Sequence, residues 1–174
     1  MVAKISNFSN LLVMTKTRKQ KRLSSHKLDE YIKELKQRIE RYFSEKKSSK
    51  EDVCTTSHLC KDSLGIPRIL MPAIENPDEF LKRMPLRYTR TTAKVDELKP
   101  AQGEIRDSRV DGVDLSKPAD PIIISQDNYI VDGHHRWAAA HKKGHEDKSM
   151  KVIRIHAPFI KIMYYARHEP TNPF

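Results

Sequence analysis

The sequence predicts an α/β fold, a compact mixed sheet with helices, preceded by a helical and strongly basic N-terminal extension. Three observations carry that expectation. Short β-branched runs separated by turn residues occupy 121–131, a strand passes through Asp132-Gly133 straight into a helix, and apolar residues recur at helical spacing between Leu28 and Phe43. The length of 174 residues suits one domain with an extension. Of these residues 37% are hydrophobic and 32% charged, polar for a globular chain yet too apolar for a disordered one. No apolar run approaches the ~20 residues of a membrane helix, so no membrane partner is expected.

Charge divides the chain. Residues 1–50 hold 14 Lys and Arg against 5 Asp and Glu, a net +9 of the chain's +10, and the remainder is almost neutral. Residues 1–25 read as a flexible basic arm. Its densest stretch, Lys16 to Arg22, is suited to neutralising phosphates, which makes nucleic acid the expected partner; a solvated tail is the alternative. Residues 26–86 read as a helical extension. Leu28, Tyr31, Ile32, Leu35, Ile39, Tyr42 and Phe43 form one stripe, Ser24 or Ser25 is the candidate cap, and Glu34 and Arg38 stand one turn apart. That stripe, over 26–47, must cover the main domain, a partner or a second copy, so a homo-oligomer through this helix is one expectation. Ser49 and Asp52 open a second expected helix closed by Gly65, and the Pro-rich 65–72 stretch is expected to be extended. Asn76-Pro77-Asp78-Glu79 has cap, first-position proline and acid in the right order for a short helix through Met84.

The α/β texture fills 87–174. Arg87 to Val95 is strand-like. Pro121 to Ser125 and Tyr129 to Val131 flank Gln126-Asp127-Asn128 as a hairpin. His134 to Lys143 is helical and closed by Gly144; a last strand over Lys151 to His156 and a helix over Phe159 to Ala166 follow. The corner Val131-Asp132-Gly133-His134-His135-Arg136 is the stretch that can do chemistry. The first amides of a helix have no partner inside it and carry the positive end of its dipole. Gly133 would let an anion approach the backbone, while His134, His135 and Arg136 add donors, a combination that cradles phosphate. Asp132 can hold Mg²⁺ through water beside such a phosphate, or serve only as turn chemistry.

Leu98-Lys99-Pro100-Ala101-Gln102, then Ser108-Arg109-Val110, then Pro121-Ile122-Ile123-Ile124, then Val131-Asp132-Gly133-His134-His135-Arg136-Trp137 follow one another in an order that resembles the ParB/sulfiredoxin superfamily, over roughly 95–155, about a third of the chain. The resemblance implies a ParB/sulfiredoxin-like mixed sheet over 87–174 whose strand–Gly–helix corner holds nucleotide phosphates. It implies a nucleoside triphosphate, ATP or CTP, with Mg²⁺. Relatives act on nucleotides, phosphorylate free serine or cleave nucleic acid, and the Asp-Gly-His-His-Arg-Trp variant looks most like ParB-like domains of phages and mobile elements. Position by position, Gly133, His135 and Arg136 match the phosphate-binding corner and Gln102 matches the first motif. His134 stands where sulfiredoxins have their catalytic Cys and CTP-hydrolysing ParB proteins a Glu, which argues against both activities. Glu104 stands where ParB proteins have Arg, near the catalytic acid of the serine kinases. It is a candidate general base or metal-binding carboxylate, or a solvated turn residue.

Other residues invite weaker readings. His141 and His145 mimic a metal pair at helical spacing, although Gly144 interrupts it. Cys54, His58 and Cys60 lack a fourth ligand and are expected as buried thiols and a surface His in a reducing, cytoplasmic setting. Trp137 could stack on a base, but an Ala-rich helix makes it core packing. The expected function is binding of nucleotide or nucleic-acid phosphate at the corner. Phosphoryl transfer, NTP hydrolysis or nuclease activity through Glu104, His134, His135 and Arg136 are the enzymatic versions. A non-catalytic DNA-binding or assembly protein using the basic arm is the alternative.

Overall fold

The computed structural model describes residues 23–45, 53–56, 58–117 and 120–168, with the side chains of 55 and 56 excepted. The basic stretch Lys16 to Arg22 and the Ser49–Asp52 cap lie outside those residues. Four strands form one mixed sheet in the order β1-β4-β2-β3: β1 Tyr88–Lys94, β2 Ile122–Ser125, β3 Ile130–Asp132 and β4 Ser149–Ile155. β4 is central, antiparallel to β1 and parallel to β2, and the hairpin β2–β3 completes the sheet. The expected hairpin is therefore present. Asn128 takes a left-handed φ of 66° at its turn, and the Ser125 hydroxyl accepts from the Tyr129 amide.

Both sheet faces are covered, which explains the unbroken Ile122-Ile123-Ile124 run. Ile123 packs with Val131, Ile153 and Ile155 on one side, while Ile122 and Ile124 pack with Ile130 and Val152 on the other. Helix α5 (His134–Lys142) lies on the second side through Trp137 and the small Ala138, Ala139 and Ala140, joined by the short α4 (Asp107–Asp111). Trp137 is 2% exposed and its indole N–H donates to the Val95 carbonyl at 3.1 Å, so it is a core residue. α5 ends where Gly144 was expected to stop it: the His145 amide reaches the Ala140 carbonyl and the Gly144 amide that of His141, with Gly144 left-handed.

The first side carries α6 (Phe159–His168) and, across it, α1 (Ser25–Glu45). Ser24 caps α1 by accepting from the Lys27 amide, and Arg38 pairs with Glu34 at 3.0 Å. Tyr31, Ile32, Leu35 and Ile39 of its stripe are buried in one cluster with Phe80, Ile153 and Tyr165. Of the three covers expected for that stripe, these four residues take the main domain, in a core that the extension and the sheet share.

Two local expectations are corrected. Of the helix expected from Ser49 to Gly65, the described residues hold α2, Val53–Thr56, and turns from His58 onward, where φ is 55°. Cys54 and Cys60, expected as free thiols, pair as a disulfide whose short span forces the chain to turn back. The 65–72 stretch is extended apart from one 3₁₀ turn at Arg68–Leu70. α3 (Pro77–Arg83) starts as expected, with the Asn76 carboxamide oxygen accepting from the amides of Asp78 and Glu79 at 3.0 and 3.2 Å.

Ile153 is fully buried at the middle of the central strand. Ile153→Ala is expected to lower unfolding free energy by about 2–5 kcal/mol, read as a fall in urea midpoint at constant slope.

Candidate functional site: a cationic cleft at the strand–glycine–helix corner

Gly133 turns β3 into α5 at a φ of +100°, a conformation that favours glycine. A Cβ here would lie 2.9 Å from Ile122 Cγ1 and 3.0 Å from the Arg136 guanidinium. The space the glycine leaves is therefore filled by Ile122 and Arg136, not held open for an anion to approach at that point, as the sequence had suggested. Arg136 folds back over the corner. It donates to the Asp120 carbonyl and lies 3.6 Å from the Asp132 carboxylate.

His134 has an anchoring part that its position in the motif did not disclose. The ring is 2% exposed, and its Nε2 accepts from the backbone amides of Ala101 at 3.1 Å and Gln102 at 3.3 Å. Accepting at Nε2 puts its proton on Nδ1. Burial, helped by the positive surroundings of His135 and Arg68, pushes the imidazole down to about 3, so it stays neutral. It ties α5 to the 99–103 strip, which runs beside β3 through the Lys99–Tyr129 bridge and beside Ile66 through the Ile66–Gln102 bridge.

A cleft of about 200 Å³ opens at this corner, lined by Gln102, Asp132 to Arg136, and two residues to which the sequence assigned no site role, Arg68 and Arg109. Arg109 stands on α4 and Arg68 opens the 3₁₀ turn. Arg136 is already paired with Asp132, whereas neither Arg68 nor Arg109 has an ion pair or side-chain hydrogen bond among the described residues. Their field reaches His135: partial burial, then Arg109 and Arg68, hold its imidazole below the ordinary value, against a weaker opposing pull from Asp132. Gln102 is 4% exposed, and its Oε1 has no protein partner. The α5 helix adds the unpartnered amides of its first turn, since the first helical bond runs from the Trp137 amide to the Gly133 carbonyl. The cleft thus gathers donors and positive charge on a spot without a matching anion.

Glu104 does not line this cleft. Its carboxylate accepts from the Tyr42 hydroxyl of α1 at 3.0 Å, a contact between residues 62 apart. His141 faces Glu146 at 3.7 Å, and among the described residues no three His, Cys, Asp or Glu side chains gather as a metal site. No helix among the described residues is long and apolar enough to cross a membrane.

No family model matches the chain, and no curated protein matches it. Among solved structures, the pNOB8-like ParB N-domain is similar at 23% identity and a TM-score of 0.33, over 40% of this chain and 28% of that one. The C2221 form of the same ParB N-domain is similar at 20% identity and a TM-score of 0.33, over 40% and 30%. The aligned part therefore spans under a third of either ParB chain.

His134 generates a pH prediction. Its folded value lies below its unfolded one, so its neutral form stabilises the fold fully above pH ~6.5, and that stability is lost as pH falls towards 3. By pH 5 the loss is about 2 kcal/mol from this group. His134→Gln, which keeps an acceptor but cannot titrate, is expected to flatten the dependence of urea midpoint on pH between 7 and 5. A slope equal to wild type would assign the acid sensitivity elsewhere.

Proposed function

We propose that the chain is a phosphate-binding module whose corner cleft takes the phosphates of a nucleoside triphosphate, in the manner implied by the ParB/sulfiredoxin-like order of its motifs. The observation that supports it most directly is the surplus charge of the cleft: with Arg136 spent on Asp132, the unpaired guanidiniums of Arg68 and Arg109 remain beside a helix N-terminus. A polyphosphate end carries charge enough to match them, and about 200 Å³ suits phosphate groups with the rest of the ligand lying outside. Asp132 is the carboxylate at the cleft, which fits Mg²⁺ carried mainly on the ligand's own phosphates with a water-mediated contact to the protein. Such an ion would neutralise phosphate charge.

Binding, not turnover, is the reading preferred for these residues. Glu104 is turned to Tyr42, and His134 is held as an acceptor, which leaves His135 as the candidate for moving a proton at the ligand. The second reading, nucleic-acid backbone phosphate at the same cleft, is favoured by the net +9 of residues 1–50.

Calorimetric titration with ATP, CTP, GTP and UTP in Mg²⁺ tests the proposal. Saturable binding of at least one nucleotide is expected, weakened about 10- to 100-fold by Arg109→Ala through loss of a charge-assisted contact. Salt-sensitive binding of duplex DNA with no nucleotide binding would replace it with the second reading. A bound anion also raises the His135 value, so binding should take up protons and tighten as pH falls from 7.5 to 6. Titrations in buffers of different ionisation enthalpy read that uptake directly.

A further inference from the structure

We propose that Arg68, which lies in the chain segment before the sheet, is a ligand-binding residue of the corner cleft, and that the bound anion straps that segment onto the corner. The inference rests on the phosphate reading of the cleft and deepens it. It assigns a residue outside the motif order, and it makes ligand occupancy a control on how firmly the 65–71 segment is held.

The placement of Arg68 is built by backbone contacts. The Ile66 amide donates to the Ala101 carbonyl at 3.1 Å and the Gly103 amide to the Ile66 carbonyl at 3.2 Å, so this segment runs alongside the strip that His134 holds. The approach is close: a Cβ on Gly103 would stand 3.0 Å from the Gly65 Cα. Ile66 and Pro67 are buried, which anchors the segment up to the residue before Arg68.

Between that anchor and the next, where Met71 is buried and Leu70 packs against the core, the hold is weaker. The 3₁₀ turn Arg68–Leu70 buries none of its residues, and two backbone bonds close it, from the Leu70 amide to the Pro67 carbonyl and from the Met71 amide to the Arg68 carbonyl. Ile69 is 76% exposed. A lightly held turn that nevertheless delivers an unpaired guanidinium to a cleft already holding that of Arg109 gathers two uncompensated positive charges there. An anion lying between them turns their repulsion into two attractions, and part of the binding free energy then goes into ordering the turn. The ligand class is a phosphate bearing at least two negative charges, since Arg68 and Arg109 both need a counter-charge.

Inorganic pyrophosphate is the probe, measured on the full chain by calorimetry and by hydrogen exchange at the Leu70 and Met71 amides. Wild type is expected to bind and to slow exchange at both amides. Arg68→Ala is expected to bind about 10-fold or more weakly and, at saturating pyrophosphate, to show no slowing there, with its melting temperature without ligand no lower than that of wild type. Arg68→Lys keeps charge without the planar fork and should fall between the two. Wild-type affinity in Arg68→Ala, or pyrophosphate binding that leaves the two amides unprotected in wild type, would overturn the strap while leaving the cleft reading intact. Failure of wild type to bind pyrophosphate or any nucleotide would overturn both.

Discussion

One buried imidazole determines how the cleft is built. The two amides that His134 accepts belong to a strip with no place in the four-stranded sheet, and burial leaves those donors few alternative acceptors. An unpaired buried amide costs about 1–3 kcal/mol, so the neutral ring carries more of the local architecture than its size suggests. Through it α5, the 99–103 strip and the Ile66 segment become one assembly, and the cleft residues sit on those pieces, on the end of β3 that leads into α5, or on the adjacent α4. The requirement for a neutral ring also resolves an electrostatic conflict. A charged His134 would add to a site already crowded with guanidiniums.

The same crowding explains why Arg136 and its neighbours play different parts. Arg136 is held by Asp132 and the Asp120 carbonyl, so it shapes the corner and needs the bare face of Gly133 to lie where it does. Arg68 and Arg109 have no such counter-charge among the described residues. Positive groups converging with little compensation destabilise an empty protein, and they are arranged to gain when an anion arrives.

What the sequence made legible is mostly local. The Asn76 cap depends on residues two and three ahead of it, the Ser125–Tyr129 hairpin on its own turn chemistry, and the end of α5 on Gly144. Those features are set by short-range sterics and hydrogen bonds. The corner itself was legible for the same reason, as Gly133 and Arg136 are neighbours in the chain. Features that failed to show depend on distant partners. The contact of Glu104 with Tyr42 joins residues 62 apart, which neither of its two sequence readings, a reactive carboxylate or a solvated turn residue, contained. Arg68 and Arg109 became site residues because the Ile66–Gln102 bridge and the seat of α4 on α5 bring them in, and neither pairing has a local signature. The stripe of α1 was legible as apolar, but periodicity could not say that α6 would cover it.

The position of β4 has a consequence for how the chain is made. It is one of the two inner strands, bonded to β1 and to β2, and it follows every other strand of the sheet in the sequence. On the ribosome, the hairpin and the corner helix exist before the strand that joins them to β1. Until Ser149–Ile155 emerges, β1 has no neighbour, and one edge of the Ile122-Ile123-Ile124 strand stays open to any extended segment that meets it. The nascent chain is thus most vulnerable to mispairing late in its synthesis, just before its central strand closes the sheet.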